Sequence, residues 1–325
     1  MLIFRSLQEI PSDFGPSLVT IGNFDGVHRG HRCVLAELAQ RARQRQARSV
    51  AVTFDPHPVR VLRPQQPLTL ITPLEQKLEL LQTLEIDPGL DAVLVLPFTQ
   101  ALSQLSAQEF AQAVVRDALH AIEVHEGENF RFGQDASANV DTLTRLGANL
   151  GFTVHAHPAQ MWRGQPISSS RIRAAIEQGD MRSTRQLLGR PFALQSTPAP
   201  GRGYGARYTV PTINLAAYRE LLPANGVYLT CVQVGGESFE ALTNVGNRPT
   251  FGADSFTVES HLLRFHPIAL DEATPLTLHF LDRIRAEMRW PSPDALKAQI
   301  ALDVAHARHY FGLWKALRNP SPQRA

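Results

Sequence analysis

At 325 residues, 43% of them hydrophobic and 19% charged, the chain has apolar material for two packed domains of about 150 residues each and is not intrinsically disordered. Its formal net charge of +2 excludes a polybasic footprint, so neither nucleic acid nor a membrane surface is an expected partner. Cys33 and Cys231 cannot build a disulfide framework or a cysteine zinc site.

The opening MLIFRSLQEIP is interrupted at Arg5, far short of the apolar core of a secretion signal, and a cytoplasmic location is expected. Strand-length apolar runs then alternate with segments of helical period. The strands are Leu18–Gly22, Ser49–Phe54, Ala92–Phe98, Ile122–Gly127 and Phe152–His157. The helices are Val34–Gln44, Pro73–Leu84, Ser106–Leu119 and Asn139–Leu150. Such alternation predicts an α/β doubly wound domain, a parallel sheet with helices on both faces, because parallel strands need long crossovers. After a short helix at Arg171–Asp180 and a further turn to Leu188, the chain becomes rich in Gly and Pro. Closely spaced strands follow at Val227–Val234, Phe239–Gly246, Phe256–Phe265 and Pro275–Ile284, which predicts an antiparallel barrel or sandwich. An amphipathic helix from Ser292 to Gly312, capped by Ser292 or Asp294, ends the second domain. The boundary is placed at 183, giving domains 1–183 and 184–325.

The most informative stretch is GNFDGVHRGH, Gly22 to His31, which leads from the first predicted strand into the first long helix. Glycines at 22, 26 and 30 let backbone approach a ligand closely. The helix start supplies free N–H groups suited to phosphate. His28 and His31, three apart, can face one side and donate to charge developing on a phosphate. A metal site is the other reading of such a pair, with Asp25 as its one nearby third ligand. Far downstream, Ser168, Ser169 and Ser170 open a helix whose first turn carries Arg171 and Arg173. Cations oppose the helix dipole there, which points to a compensating anion. In the second half, Gly201, Gly203 and Gly205 form a flexible loop before Thr212 and Asn214. The last two, two apart on a strand, share a face and offer hard oxygens for magnesium.

GNFDGVHRGH with ISSSRIR resembles the HxGH nucleotidyltransferase superfamily. VTFDPHP (Val52–Pro58), GENFRFG (Gly127–Gly133) and LLGRPF (Leu187–Phe192) narrow the resemblance to the bacterial bifunctional riboflavin kinase/FMN adenylyltransferase (FAD synthetase) family. It runs from about residue 15 to 311. The resemblance implies an HxGH nucleotidyltransferase-like first domain and a small antiparallel β-barrel, riboflavin-kinase-like, with a C-terminal helix. It implies ATP as co-substrate with Mg2+, and riboflavin, FMN and FAD as partners.

By the same resemblance, Gly22, Phe24, Asp25, His28 and His31 line the adenylyltransferase ATP site, with the histidines on the α-phosphate. Ser168, Ser169 and Arg173 hold the outer phosphates, and Asn129 contacts the flavin or positions the reacting phosphates. Gly203 and Gly205 wrap the kinase nucleotide, Thr212 and Asn214 bind magnesium and nucleotide, and Glu259 is the general base on the ribityl hydroxyl. Asp55 and His57 carry either a ligand role or a strand-end turn. The chain differs from the family pattern at Tyr208–Val210 and across His266–Leu276. That difference motivates one alternative to the bifunctional enzyme, a barrel that binds flavin with little or no kinase activity. Transfer to another phosphorylated acceptor is a second, and a non-catalytic flavin sensor regulating RNA or a partner, which the near-neutral charge argues against, is a third.

Overall fold

The computed structural model describes residues 1–199, 212–247, 256–266 and 270–318. It divides into two compact units, Met1–Ser169 and Ser170–Ala325.

In the first unit six strands form one sheet: β1 (Leu2–Phe4), β2 (Ser17–Ile21), β3 (Arg48–Asp55), β4 (Ala92–Pro97), β5 (Ala121–Gly127) and β6 (Thr153–His157). Their order is β1-β4-β3-β2-β5-β6, every pair parallel. The helices are α1 (Arg29–Gln44), α2 (Pro58–Leu62), α3 (Leu74–Gln82), α4 (Gln100–Ser103), α5 (Ala107–Phe110) and α6 (Val140–Leu150). Strand period decides which side chain meets which helix. Val19, Ile21, Val50, Val52 and Leu94 face Phe110, Val114, Val115 and Leu143. Their neighbours Leu18, Ala51, Val93 and Val95 face Leu35, Leu38, Leu78 and Leu81 of α1 and α3. Both faces are thus covered, as the apolar runs require.

Two features differ from the periodicity reading. The apolar start of the chain is an edge strand, with Leu2 opposite Ala92. The helix expected at Ser106–Leu119 begins with a capping box between Ser106 and Glu109, then widens into a π-helix over Ala111–Ala118. The wider turn keeps Ala111, Val114 and Val115 on the sheet.

A polar seam interrupts the apolar layers where α1 covers the β5–β6 edge. Glu123 is buried, and burial works against its charge. Arg41 at 3.0 Å and Arg45 at 2.9 Å nevertheless hold its carboxyl below the usual range. Burial pushes the neighbouring His125 down to about 4.

After a small hairpin of β7 (Met161–Trp162) and β8 (Gln165–Pro166), helix α7 (Ser169–Glu177) leads into the second unit, followed by α8 (Met181–Leu188). The strands are β9 (Phe192–Ser196), β10 (Pro198–Ala199), β11 (Thr212–Leu215), β12 (Gly226–Val234), β13 (Glu237–Asn247), β14 (Phe256–Leu262) and β15 (Leu276–Ala286). They form an antiparallel sheet in the order β10-β11-β14-β13-β12-β15-β9. The two edge strands of that order, β9 and β10, are separated by a single residue of chain. A flat sheet of this width would span about 30 Å at ~4.8 Å per strand, so the sheet must curl round into the expected barrel. Helix α9 (Pro293–Arg318) packs Ala307 and Phe311 on Val227, Leu229, Leu242 and Leu281. Ser292 caps it, accepting from the Ala295 N–H at 3.2 Å. A buried pair, Arg285 to Asp303 at 2.9 Å, fastens it to β15. No helix among the described residues is long and apolar enough to cross a membrane.

Gly147 tests the packing of α6. A Cβ there would lie 2.6 Å from the Phe152 carbonyl oxygen and 2.8 Å from its ring. Gly147→Ala is expected to lower stability in urea unfolding by about 1–3 kcal/mol from overpacking, although alanine favours an exposed helix by about 1 kcal/mol.

Candidate active sites

The loop from Gly22 to His28 turns the chain from β2 into α1. The Gly22 N–H donates to the Val52 carbonyl at 2.9 Å, fixing the loop's start on β3. Phe24 and Val27 hold positive φ, 46° and 38°, with Gly26 at 86°. Such left-handed backbone at non-glycine residues persists only where its surroundings enforce it. Here they do. The buried Asp25 carboxylate accepts from the Ile71 N–H at 2.9 Å and the Thr72 N–H at 3.1 Å. The Gly26 N–H donates to Thr72 Oγ1 at 3.0 Å. Thr53 Oγ1 donates to the Asn23 carbonyl and accepts from buried Lys77 Nζ, both at 3.2 Å. Burial pushes the Lys77 ammonium down, against the pull of Asp25 and Asp55.

His28 is the N-cap of α1: its Nδ1 accepts from the His31 N–H at 3.2 Å. That bond fixes the neutral tautomer, leaving the proton on Nε2 as a donor. The two imidazoles stack with centroids 3.6 Å apart, and the Phe24 ring meets His31 edge-on at 5.2 Å. A Cβ on Gly30 would lie 3.1 Å from His28 Cε1 and crowd that ring. The serine turn reaches this loop directly, with Ser169 Oγ donating to the Asp25 carbonyl at 2.8 Å. Ser168 precedes α7 and is half-buried. Arg173 follows Ser169 by one turn on that helix.

A cleft of about 610 Å3 opens beyond the carboxyl ends of β2 to β5, walled by Gly22, Asn23, Phe54, Phe98, Phe130 and Phe132. Phe54 and Phe98 meet edge-on at 5.5 Å; Phe130 and Phe132 lie nearly parallel at 5.4 Å. Its volume and aromatic walls suit a planar, drug-sized group. Asn129 is exposed in the turn after β5, between Gly127 and Phe130. His57 caps α2, its Nδ1 accepting from the Val59 N–H at 3.2 Å. Asp55 ends β3, exposed.

In the second unit the strand register assembles the other set. Asn214 lies directly opposite Glu259, and Thr212 opposite His261. Glu259 is in turn opposite Asn244 on β13. Cross-strand partners share a face, so Thr212, Asn214, Glu259 and Asn244 form one polar row. The donor set at Thr212 and Asn214 is a hydroxyl and an amide oxygen, which fits magnesium. Gly203 and Gly205 lie outside the described residues.

Two family profiles cover the chain: one described as FAD synthetase matches residues 10–171, and one described as riboflavin kinase matches 188–311. A bifunctional riboflavin kinase/FMN adenylyltransferase of Pseudomonas fluorescens is 35% identical over 325 residues, all of both chains. The chain belongs to the bifunctional riboflavin kinase/FMN adenylyltransferase family. A member from Escherichia coli K12 is 32% identical over 313 residues, covering 96% of this chain and 97% of the relative. A crystal structure from Streptococcus pneumoniae, described as a macrolide-efflux protein, superposes with a TM-score of 0.84 at 26% identity. It covers 94% of this chain and 98% of that one.

For a bifunctional riboflavin kinase/FMN adenylyltransferase, the structure adds residues that motif reading missed. The cleft phenylalanines sit at strand ends or alternate as Phe130 and Phe132; that placement was their one sequence signal. Lys77 and Asn244 gave none, since one lies mid-helix and the other needs β13–β14 pairing to meet Glu259. Glu126 is also new. It is fully buried, and its Oε1 accepts from the Ile21 N–H at 2.6 Å, just before the Gly22–His28 loop. Burial raises its carboxyl well above the ordinary 4.5, against the Ile21 hydrogen bond. A carboxyl raised on folding stabilises fully below its unfolded value, and that contribution is lost as pH rises through the folded value. Glu126→Gln, which keeps the acceptor, should therefore match the wild type in melting temperature near pH 4.5 and exceed it increasingly as pH rises.

Proposed function

We propose that residues 184–325 phosphorylate the ribityl 5′-hydroxyl of riboflavin to FMN, and residues 1–183 join AMP from ATP to FMN, releasing pyrophosphate and forming FAD. The observation that carries the second reaction is the Ser169 Oγ to Asp25 contact at 2.8 Å. It sets the serine turn against the His28–His31 loop, so one triphosphate can lie along both. Flavin occupies the phenylalanine-walled cleft that begins at Gly22 and Asn23, which leads its phosphate toward the imidazoles. Asn129, adjacent in sequence to the cleft residue Phe130, orients the flavin or its phosphate.

In adenylyl transfer, an oxygen of the FMN phosphate bonds to the α-phosphorus as the bond to pyrophosphate breaks. That oxygen is already ionised near neutral pH, so no strong base is needed. His28 supplies its Nε2–H to the negative charge that builds on the α-phosphate, with His31 stacked beside it. Gly22 and Phe24 shape the approach, Asp25 holds the loop, and Ser168, Ser169 and Arg173 take the outer phosphates. In the barrel, Glu259 accepts the 5′-hydroxyl proton as that oxygen attacks the γ-phosphorus and ADP leaves. Thr212 Oγ1 and Asn214 Oδ1 would hold the magnesium that accompanies ATP, and Gly203 and Gly205 would contact the nucleotide. When bound, the ion offsets charge on the phosphate oxygens.

The two activities separate in a single assay of riboflavin, ATP and magnesium followed by fluorescence chromatography. His28→Asn retains a good helix cap but removes the imidazole donor. FAD formation should fall about 10²–10³-fold while FMN accumulates at the wild-type rate. Equal loss of both products would refute this division of labour. Glu259→Gln should show the reverse, with FMN formation reduced about 10²–10⁴-fold and added FMN still converted to FAD.

A further inference from the structure

Three histidines and two carboxylates lie in the seam between α1 and the β5–β6 edge, outside the residues assigned above. The parallel register sets His125 opposite His155 and Gly127 opposite His157. The His125 ring stacks on both histidines, at 4.7 Å and 5.2 Å. From α1, Glu37 and the pair Arg41 and Arg45 reach the same seam.

The protons of this cluster can be placed by its hydrogen bonds. A carboxylate only accepts, so His157 Nδ1, 3.1 Å from Glu37 Oε2, carries a proton and donates it. The other nitrogen of a neutral His157 is then a bare acceptor, and His125 Nδ1 donates to it across 3.1 Å. A neutral His125 is left with a bare lone pair on Nε2. That atom is buried and finds no hydrogen-bond partner among the described residues. The oxygen in front of it, Glu123 Oε2 at 3.6 Å, is a second acceptor. His155 Nε2 stands 3.3 Å from the same oxygen. Arg41 Nε already donates to that oxygen at 3.0 Å, but no described residue donates to His125 Nε2, and a buried bare acceptor is costly without a cation on it.

We propose that Glu123 Oε2, His125 Nε2 and His155 Nε2 form a structural site for a divalent transition-metal ion, zinc in the first instance. Bonds of about 2.0–2.1 Å in a tetrahedral site place ligand atoms roughly 3.3 Å apart, close to the 3.3 and 3.6 Å separations here. The His157–Glu37 relay is the outer hydrogen-bond support that orients a metal-binding imidazole. His155, half-exposed, is the way in from solvent. Arg41 and Arg45 already pair with Glu123, so the site is one of moderate affinity. Its effect is to bind the edge strand β6 to β5, outside the chemistry of either active site.

The test uses the full-length chain, stripped with chelator and dialysed, titrated with zinc by calorimetry near pH 7.5 and followed by thermal unfolding. One saturable zinc per chain is expected, with a rise in melting temperature and, for cobalt, the intense visible bands of four-coordination. His155→Ala should lose the binding event, the thermal shift and the cobalt bands while keeping its FAD formation. Should alanine prevent folding, His155→Gln replaces it under the same expectation. The proposal is overturned by absence of saturable binding in the wild type, by zinc binding that survives loss of His155, or by the weak spectrum of six-coordinate cobalt.

Discussion

A buried carboxylate holding two backbone amides underlies the first active site. Asp25 accepts from the Ile71 and Thr72 N–H groups, and with the Gly26 N–H to Thr72 Oγ1 bond it holds the left-handed backbone at Phe24 and Val27. The loop thus fixed aims both imidazoles and the first turn of α1 at one place. Lys77 and Thr53 brace the same loop from below at Asn23. Most of the precision of the site is therefore spent on groups that do not face the ligand. The groups proposed to face phosphate, glycines and two histidines, rely on that support.

The barrel reaches a comparable result by register alone. No helix start or buried carboxylate brings Thr212, Asn214, Asn244 and Glu259 together; pairing of β11, β14 and β13 does. The same face carries Leu242 two residues from Asn244, and Leu242 belongs to the apolar patch under α9. The helix thus covers the part of the face that the polar row leaves apolar, and its buried Arg285–Asp303 pair keeps it in place.

Local chemistry was legible in the sequence, and what needed pairing was not. Glycines flanking two histidines between a strand and a helix marked out the candidate loop, because backbone freedom and helix polarity are properties of neighbouring residues. The alternation of strands and helices gave the doubly wound sheet for the same reason. Leu2–Phe4 escaped notice because three apolar residues form a strand only where β4 offers a free edge. The cleft escaped because Phe54, Phe98 and Phe130 come from three separate segments. The opposition of Asn214 and Glu259, and the stacking of His125 on His155 and His157, likewise arise only once the strands are in register.

The pairing of β9 with β15 also sets the order in which the two halves can be completed during synthesis. Leu194 of β9 pairs with Leu278, so the barrel cannot close until β15 has left the ribosome. The parallel sheet, by contrast, has all its strands once His157 has emerged. An emerging chain thus assembles its adenylyl-transfer half first and must protect an unfinished β-sheet, with its unsatisfied edges, until the last strand arrives.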